Sequence, residues 1–237
     1  MTPSRWLADC AQSSPLLHDK TIEVIPNGID LQSYRLLDKS QARRELELAP
    51  DKYYVLFGSP EAASDSNPGR VIWKGFDLFV EAMQMLVQQR VSDPIELLIM
   101  GADEPAHPPD FGLPARYLGF LRGEEALNRA YAAADVFVLP SRQDNLPNMI
   151  MEALASGTPC AAFAIGGNVD MIVHQQNGYL AEPYNVADLA EGVRWIIEHP
   201  HPDTLREAAR ETVERQFRLE DIAQRYADLY ARVVRSH

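Results

Sequence analysis

Cysteine is scarce in this sequence, and its placement argues against the usual special roles of the residue. Only Cys10 and Cys160 occur among 237 residues. Neither belongs to a C-x-x-C pair or stands near a suitably spaced histidine, which disfavours a zinc or redox motif. Low cysteine usage is typical of a reducing compartment, so we expect two buried free thiols, with a disulfide between them as the alternative.

Basic residues and long hydrophobic runs are also few. The chain has 22 Lys and Arg against 34 Asp and Glu, a net charge of −12, so its surface repels phosphate backbones and anionic lipid headgroups. A compact, locally basic site remains compatible with this charge. No apolar run approaches the roughly 18 residues of a membrane span, and the first residues lack a signal-peptide core. We therefore predict a soluble cytoplasmic protein with no nucleic-acid partner and no transmembrane segment.

Two nucleotide-binding signatures are missing as well. The sequence contains neither G-x-G-x-x-G nor G-x-x-x-x-G-K-[ST], which excludes a dinucleotide fingerprint and a P-loop kinase or ATPase. The composition that is present is globular, with 46% of the residues hydrophobic and 24% charged. The length corresponds to one large domain or two small ones, at roughly 100–200 residues each.

Short apolar runs alternate with amphipathic helical segments along the chain. Strands are predicted at 22–25, 53–57, 95–100, 116–119, 135–139, 159–163 and 178–181. Several of them are apolar at successive residues, as parallel strands covered on both faces require. Strand alternating with helix predicts an α/β fold with a doubly wound parallel sheet, in which ligands bind beyond the carboxyl ends of the strands.

The segment after the fifth predicted strand carries two acids close to a helix start. Pro147 suits the first turn of that helix and Gly157 suits its end. The helix N-terminus would offer free N–H groups to a phosphate or another anion. Asp144 precedes the helix, and Glu152 lies roughly 8–12 Å further along its axis, so the two acids would contact different parts of a ligand. The alternative is that Asp144 or Asn145 caps the helix and Glu152 is a solvated surface acid.

A second candidate site precedes the helix predicted to start at Phe76. Lys74 and Gly75 stand directly before it. A cation at a helix N-terminus is unfavourable unless an anion binds there, and glycine permits close approach of the backbone to a ligand. Arg70 lies in the preceding irregular segment, 59–72, whose length of about fourteen residues is unusual for a βα loop. The alternative is that Lys74 is a solvated loop residue.

Taken together, these segments resemble the C-terminal, donor-binding half of the family-4 retaining glycosyltransferases, group 1 glycosyl transferases with the two-domain GT-B fold. Each motif is weak alone, and their order along nearly the whole chain carries the resemblance. The matching segments, with the family pattern in parentheses, are I-P-N-G-I-D at 25–30 (I-P-N-G-[IV]-D), K-G-F-D at 74–77 (K-G-x-D), Y-A-A-A-D-V-F-V-L-P-S at 131–141 (Y-x-x-A-D-[VI]-F-[VL]-x-P-S), the pair Asp144 and Glu152 (E-x(7)-E), Gly166-Gly167, and N-G-Y-L at 177–180.

The resemblance implies a Rossmann-like domain that binds a nucleotide-diphosphate sugar. In such enzymes the second acid, here Glu152, binds the ribose hydroxyls, and the first, here Asp144, reaches the transferred sugar as the catalytic residue. Lys74 would bind the diphosphate and stabilise the leaving group. The other implied substrate-binding residues are Asn145, Leu146 and Asn148 near the sugar or diphosphate, Leu121 against the base, and Arg70 in place of the family arginine that normally follows the first strand.

The resemblance further implies retaining, metal-independent transfer of a hexosyl group, with the nucleotide-sugar as donor substrate and no other cofactor. Residues 1–30 would be the interdomain helix and linker, and 31–237 the nucleotide-sugar-binding domain. The acceptor-binding N-terminal domain of the family is absent from the match. We therefore expect a glycan or lipid-linked acceptor to bind outside this chain, the isolated chain to be inactive, and the full-length enzyme to be cytoplasmic or peripherally associated with a membrane.

Two departures from the family pattern leave other functions open. Asp144 replaces a glutamate and is one methylene shorter, and Ser59 follows Gly58 where the family has its arginine. The chain could therefore be a nucleotide-sugar-binding module without activity, or one subunit of a split transferase. Another GT-B enzyme, such as an epimerase or a phosphorylase, is a third interpretation, against which the K-G and paired-acid segments argue.

Overall fold

Six strands in the described part of the chain form one parallel sheet. The structure is a computed structural model and describes residues 1–58, 73–89, 91 and 94–235. The strands are β1 Tyr53–Gly58, β2 Ile95–Met100, β3 Ala115–Gly119, β4 Val136–Leu139, β5 Cys160–Phe163 and β6 Gly178–Ala181. Their order across the sheet is β3-β2-β1-β4-β5-β6, and all neighbouring strands are parallel. This order confirms the predicted doubly wound α/β fold.

Helices join all successive strands except β2 and β3, and further helices lie before β1 and after β6. They are α1 Arg5–Gln12, α2 Lys39–Glu45, α3 Phe76–Gln88, α4 Glu124–Ala133, α5 Asn148–Ala155, α6 Asn168–Met171, α7 Val186–Ile197, α8 Pro202–Gln216 and α9 Leu219–Arg235. Among the described residues, no helix combines the length and the apolar character that a membrane crossing needs.

Helices cover both faces of the sheet, and each face has its own hydrophobic core. Successive residues of a strand point to opposite faces. Leu56 and Phe137 therefore pack with α4, α5 and α8 on one face, whereas Phe57 and Val138 pack with α3 and α7 on the other. Because both faces are covered, the central strands are apolar at successive positions, which is the pattern that made them predictable.

The predicted strand at 22–25 is wrong. Val24 makes one isolated parallel bridge to Thr2, and the Ile25 N–H donates to the Thr2 carbonyl at 2.9 Å. The pairing stops there because α1 begins shortly after Thr2 and because Pro26 has no N–H to donate. Ile25 is fully buried, so the apolar character of this segment reflects packing on the domain rather than membership of the sheet.

Both cysteines are free thiols, as predicted, but only one of them is buried. Cys160 lies on β5 inside the sheet, where its side chain is inaccessible. Cys10 lies on α1, a surface helix whose buried residue is Ala8, and its side chain is exposed. The prediction of two buried thiols is therefore wrong for Cys10, because α1 buries too little surface to cover it.

Residues 1–30 lie against the rest of the chain through ion pairs with two different helices. Arg5 Nε pairs with Asp170 of α6 at 2.7 Å, and Glu23 pairs with Arg232 of α9 at 2.6 Å. The predicted helix near the amino end is confirmed as α1. The predicted boundary at residue 30, between an interdomain linker and the nucleotide-sugar-binding domain, stays a prediction.

The aspartate of the Y-A-A-A-D segment lies at the amino edge of the sheet, directly before β4. The Asp135 carboxylate accepts hydrogen bonds from Lys39 Nζ at 2.8 Å, from Arg43 Nη2 at 2.7 Å and from the Tyr54 N–H at 2.7 Å. Doubly wound sheets bind their ligands at the opposite, carboxyl edge. Asp135 therefore joins α2 to β1 and β4 and lies away from the expected binding edge.

Candidate functional site

The strand order reverses between β1 and β4, which is the place where doubly wound sheets bind ligands. One segment leaves the carboxyl end of β1, and another leaves the carboxyl end of β4. The first segment includes residues 59–72, which lie outside the described residues, and with them the predicted site residue Arg70. The second segment runs over residues 140–147 into α5.

Helix α5 starts at the carboxyl edge of the sheet, as predicted. Pro147 is its N-cap residue, with extended backbone angles (φ −70°, ψ 116°), and no side chain of the described residues caps the helix. Asp144 and Asn145 have other partners, so the interpretation of either residue as the cap is wrong. The N–H groups at the start of α5 and the positive end of its dipole therefore favour an anionic ligand at the switch point.

The structure brings two predicted site residues, Lys74 and Asp144, into contact. Lys74 Nζ donates to Asp144 Oδ2 at 2.8 Å, across 70 residues of sequence. Both side chains keep some accessible surface, with exposed fractions of 35% for Lys74 and 16% for Asp144. Lys74 is therefore not a solvated loop residue. Its ammonium group has two further N–H donors that a phosphate group can accept.

The position of Lys74 depends on a close approach between Gly75 and the loop after β4. Gly75 is the N-cap residue of α3 and has φ +70°. A Cβ atom at this position would overlap the carbonyl oxygen of Pro140. The Arg142 N–H donates to the Trp73 carbonyl at 2.9 Å between the same two segments. A residue without Cβ thus allows the start of α3 to pack against the loop that carries Asp144.

We expect Gly75→Ala to lower the free energy of unfolding by about 2–3 kcal/mol. An L side chain in the left-handed region costs roughly 1–2 kcal/mol, and the overlap with Pro140 adds further strain. Gly112→Ala is the matched control, because Gly112 also has φ +70° and its new Cβ would meet only the Val87 side chain, at 3.3 Å. Urea unfolding of both variants measures the difference. Equal losses would show that the approach to Pro140 contributes nothing.

Glu152 lies in the second turn of α5 and is half-buried. The Tyr131 hydroxyl donates to Glu152 Oε2 at 2.9 Å. Burial raises the pKa of the Glu152 carboxyl above its usual range, the charge of Glu124 raises it further, and the hydrogen bond from Tyr131 opposes the increase. The interpretation of Glu152 as a solvated surface acid is therefore wrong.

Two other segments support the loop that carries Asp144 and Asn145. Ser4 Oγ donates to Asn145 Oδ1 at 2.6 Å. The Gly167 N–H donates to the Asp144 carbonyl at 3.2 Å, and a Cβ at Gly167 would overlap the Asn145 carbonyl oxygen. The loop thus contacts residues from the amino end of the chain and from the segment after β5.

The remaining predicted site residues lie close to the carboxyl edge of the sheet. Asn148 is the first residue of α5, and its Oδ1 accepts a hydrogen bond from Asn27 Nδ2 at 3.1 Å. Leu146 is 6% exposed, and its side chain packs in the core. Leu121 follows β3 and packs partly buried against the same core cluster. Their roles in substrate binding stay predictions.

Three residues of this neighbourhood were missed by reasoning from the sequence. Tyr131 and Asn27 stand in segments with a motif, so a signal for both was available. Ser4 stands in no motif, and its hydrogen bond to Asn145 spans 141 residues. Only the tertiary structure shows that Ser4 contacts Asn145, a residue of the candidate site.

The sheet order, the N-terminus of α5 and Lys74 together define a Rossmann-like α/β domain whose switch point suits a phosphate-bearing ligand. The particular family follows from the sequence. The chain belongs to the glycosyl transferases group 1 family, whose sequence model matches residues 67–199.

Relatives with similar sequences are glycosyltransferases by name. The chain is 29% identical over 201 residues to sulfoquinovosyl transferase SQD2 of Arabidopsis thaliana, covering 79% of this chain and 36% of that protein. It is 31% identical over 189 residues to D-inositol 3-phosphate glycosyltransferase of Nocardia farcinica, covering 74% of this chain and 40% of that protein. The chain thus spans less than half the length of these two relatives.

Two solved structures of similar fold come from chains longer than this one. Sucrose-phosphate synthase from Thermosynechococcus elongatus superposes with a TM-score of 0.82 at 24% identity, covering 100% of this chain and 58% of that chain. Anabaena Alr3699/HepE in complex with UDP and glucose has a TM-score of 0.73 at 23% identity, covering 97% of this chain and 62% of that chain. At these identities the likeness concerns the fold.

Proposed function

We propose that this chain is the donor-binding domain of a retaining, metal-independent glycosyltransferase, which transfers a hexosyl group from a nucleotide-diphosphate sugar to a glycan or glycolipid. The observation that carries the proposal is the Lys74–Asp144 pair, which lies beside the N-terminus of α5 at the switch point of the sheet. In this proposal residues 31–237 form the binding domain, and residues 1–30 form the interdomain helix and linker.

Lys74 and the first N–H groups of α5 would hold the diphosphate. When the bond between the anomeric carbon and the phosphate oxygen breaks, negative charge grows on the leaving nucleoside diphosphate. Fixed donors aimed at that charge stabilise the transition state more than the ground state. The ammonium group and the helix terminus would thus do the work that a divalent cation does in metal-dependent transferases.

Asp144 would face the transferred sugar as the catalytic residue. Its ionised oxygens accept hydrogen bonds from sugar hydroxyls, and Lys74 at 2.8 Å balances its charge next to an anionic donor. Backbone N–H groups of Asn145, Leu146 and Asn148 would line the same side of the crevice. Because aspartate is one methylene shorter than glutamate, the sugar would have to approach the loop more closely than in relatives with the longer acid.

Glu152 would accept hydrogen bonds from the two ribose hydroxyls, and Leu121 would lie against the base. The different partners of the two acids support this division. Asp144 contacts a lysine at the start of α3, whereas Glu152 contacts a tyrosine of α4. Asp144 thus lies beside Lys74, whose ammonium group suits a diphosphate, and Glu152 lies further along α5.

Acceptor binding would fall to a second domain, of the kind that the greater length of the relatives provides. Transfer requires donor and acceptor to be held together in one cleft, so the chain alone would bind the donor and transfer little. We place the reaction in the cytoplasm on the basis of the low cysteine content. Donor binding without transfer, once an acceptor domain is supplied, would favour the binding-module interpretation.

Glu152→Gln is expected to weaken the binding of a nucleoside diphosphate about tenfold, because hydrogen bonds from the ribose hydroxyls to a carboxylate are stronger than those to an amide. Calorimetric titration with UDP, GDP and ADP, and with their 2′,3′-dideoxy forms, measures the effect. The dideoxy forms should bind wild type and variant equally. Glu125→Gln, at an acid that is 81% exposed on α4, is the control. Absence of binding to all three diphosphates by the wild type would refute the proposal.

A further inference from the structure

The buried residue Tyr131 is hydrogen-bonded to Glu152, the acid that the proposed function assigns to the ribose. Tyr131 is completely inaccessible, and its hydroxyl donates to Glu152 Oε2 at 2.9 Å. Burial raises the pKa of the Tyr131 hydroxyl well above its usual value, so the group keeps its proton and remains a donor at neutral pH.

The ring of Tyr131 has little freedom to move. Thr158 Oγ1 donates to the Tyr131 carbonyl at 2.7 Å, which ties α4 to the segment that leads into β5. The ring of Phe137 on β4 meets the Tyr131 ring edge to face, with centroids 5.4 Å apart. The hydroxyl is thus presented to Glu152 by a rigid part of the core.

No second side-chain hydrogen bond to the Glu152 carboxylate is made by the described residues. Glu124, at the start of α4, and Tyr34, in the segment before α2, both interact electrostatically with Glu152, and neither is positively charged. Arg210 of α8 packs behind α5, but it donates to the carbonyls of Tyr34 and Ala155 and pairs with Glu214. Among the hydrogen bonds of the described residues, the one from Tyr131 is the one that orients the Glu152 carboxylate.

We propose that Tyr131 is a positioning residue for the nucleotide, which holds Glu152 through Oε2 so that its remaining lone pairs face the two ribose hydroxyls. This inference rests on the proposed function, in which Glu152 binds the ribose. A carboxylate anchored through one oxygen loses less rotational freedom when a ligand binds, since its rotamer is already selected. The hydrogen bond also favours the ionised form of Glu152 against the effects of burial and of Glu124.

Tyr131→Phe tests the inference while keeping the ring and its packing. We expect the variant to bind the ribonucleoside diphosphates UDP, GDP and ADP about three- to tenfold more weakly than the wild type, and their 2′,3′-dideoxy forms with unchanged affinity. Tyr179→Phe is the matched control. The Tyr179 hydroxyl donates to the Asp188 carboxylate at 2.8 Å and belongs to the core of the other face of the sheet.

The pH dependence of nucleotide binding is a second measurement. If Tyr131 had a purely structural role, Tyr131→Phe would leave this pH dependence unchanged. Protonation of Glu152 removes acceptors for the ribose hydroxyls, so affinity falls as the pH drops through the pKa of this carboxyl. Loss of the Tyr131 hydroxyl removes an effect that lowers this pKa. The acid-side loss of affinity should therefore begin at a higher pH in Tyr131→Phe than in the wild type and in Tyr179→Phe.

The outcomes separate this inference from the proposed function. A wild type that binds ribonucleotide and dideoxynucleotide equally overturns the assignment of Glu152 to the ribose and, with it, this inference, whereas a wild type that binds neither overturns the proposed function. A wild type that prefers the ribonucleotide, together with an unchanged affinity and pH profile of Tyr131→Phe, overturns the inference alone. If Tyr131→Phe does not fold, an NMR measurement on the wild-type protein still tests the inference. The buried hydroxyl proton of Tyr131 should shift in NMR spectra when the ribonucleotide binds and stay unmoved with the dideoxy form, and a proton that responds equally to both refutes the inference.

Discussion

Lys74→Ala is expected to weaken the binding of UDP, GDP or ADP by about 10- to 100-fold, the largest change in affinity that the site predicts. A hydrogen bond to a charged group contributes about 1.5–3 kcal/mol, and each 1.4 kcal/mol is a factor of ten in affinity. The substitution also leaves Asp144, whose side chain is 16% exposed, without its counter-charge. An unbalanced carboxylate beside the diphosphate repels it and adds to the loss.

The chain contains a closely matched control for this substitution. Lys52 pairs with Glu96 at 2.8 Å, and its side chain is 33% exposed, compared with 35% for Lys74. That pair involves the residue before β1 and lies toward the amino edge of the sheet, so Lys52→Ala should leave nucleotide affinity unchanged. Calorimetric titration of both variants makes the comparison.

The double variant Lys74→Ala/Asp144→Asn separates the two causes of the loss. Removal of the Asp144 charge should recover part of the affinity, because the repulsion disappears while the lost ammonium contacts do not return. An affinity of Lys74→Ala equal to that of the wild type would contradict the assignment of Lys74 to the diphosphate.

Asp135→Ala is expected to lower the free energy of unfolding by about 3–5 kcal/mol, the largest loss of stability that we predict. Removing one partner of a buried ion pair leaves the other charge uncompensated. Here two cations lose their partner, because Lys39 Nζ and Arg43 Nη2 both bind the Asp135 carboxylate, and the Tyr54 N–H loses its acceptor. Burial already lowers the pKa of Lys39, and the charge of Asp135 opposes that effect.

Two measurements show that Asp135 acts on stability and not on binding. Urea unfolding should give the large loss for Asp135→Ala and less than about 0.5 kcal/mol for Asp19→Ala, because Asp19 forms an exposed pair with Lys20. The folded variant should bind nucleoside diphosphates as the wild type does, because Asp135 lies at the opposite edge of the sheet. A stability loss below about 1 kcal/mol, or weaker binding by the folded variant, would contradict this account.

Most of the sheet was predictable because its strands are buried on both faces. The predicted strands at 53–57, 95–100 and 178–181 coincide with β1, β2 and β6 within one residue. The segment 22–25 has the same local character but stays outside the sheet, because a strand also needs a partner strand. That partner is set by contacts distant in sequence, and Val24 finds only the bridge to Thr2.

The sequence nominated residues for the candidate site but did not predict their contacts. The position of Asp144 before a helix, and of Lys74 and Gly75 before another, marks both as candidates for anion binding. Their salt bridge depends on the approach of Gly75 to the Pro140 carbonyl, which no local pattern reveals. Glu152 was left open between a binding role and a solvated position, and burial beside Tyr131 decided against the solvated one.

The sequence by itself determined the α/β class of this protein, most of its strands and the start of a helix near Pro147, and it nominated the acids and the lysine of the candidate site. These features follow from local periodicity, turn residues and helix ends, which act over a few neighbouring residues. Only the tertiary structure decided that Lys74 meets Asp144, that Tyr131 holds Glu152, that Ser4 supports Asn145, and that Asp135 belongs to the opposite edge. Each of these contacts joins residues at least 21 positions apart, and such contacts arise from the packing of whole elements.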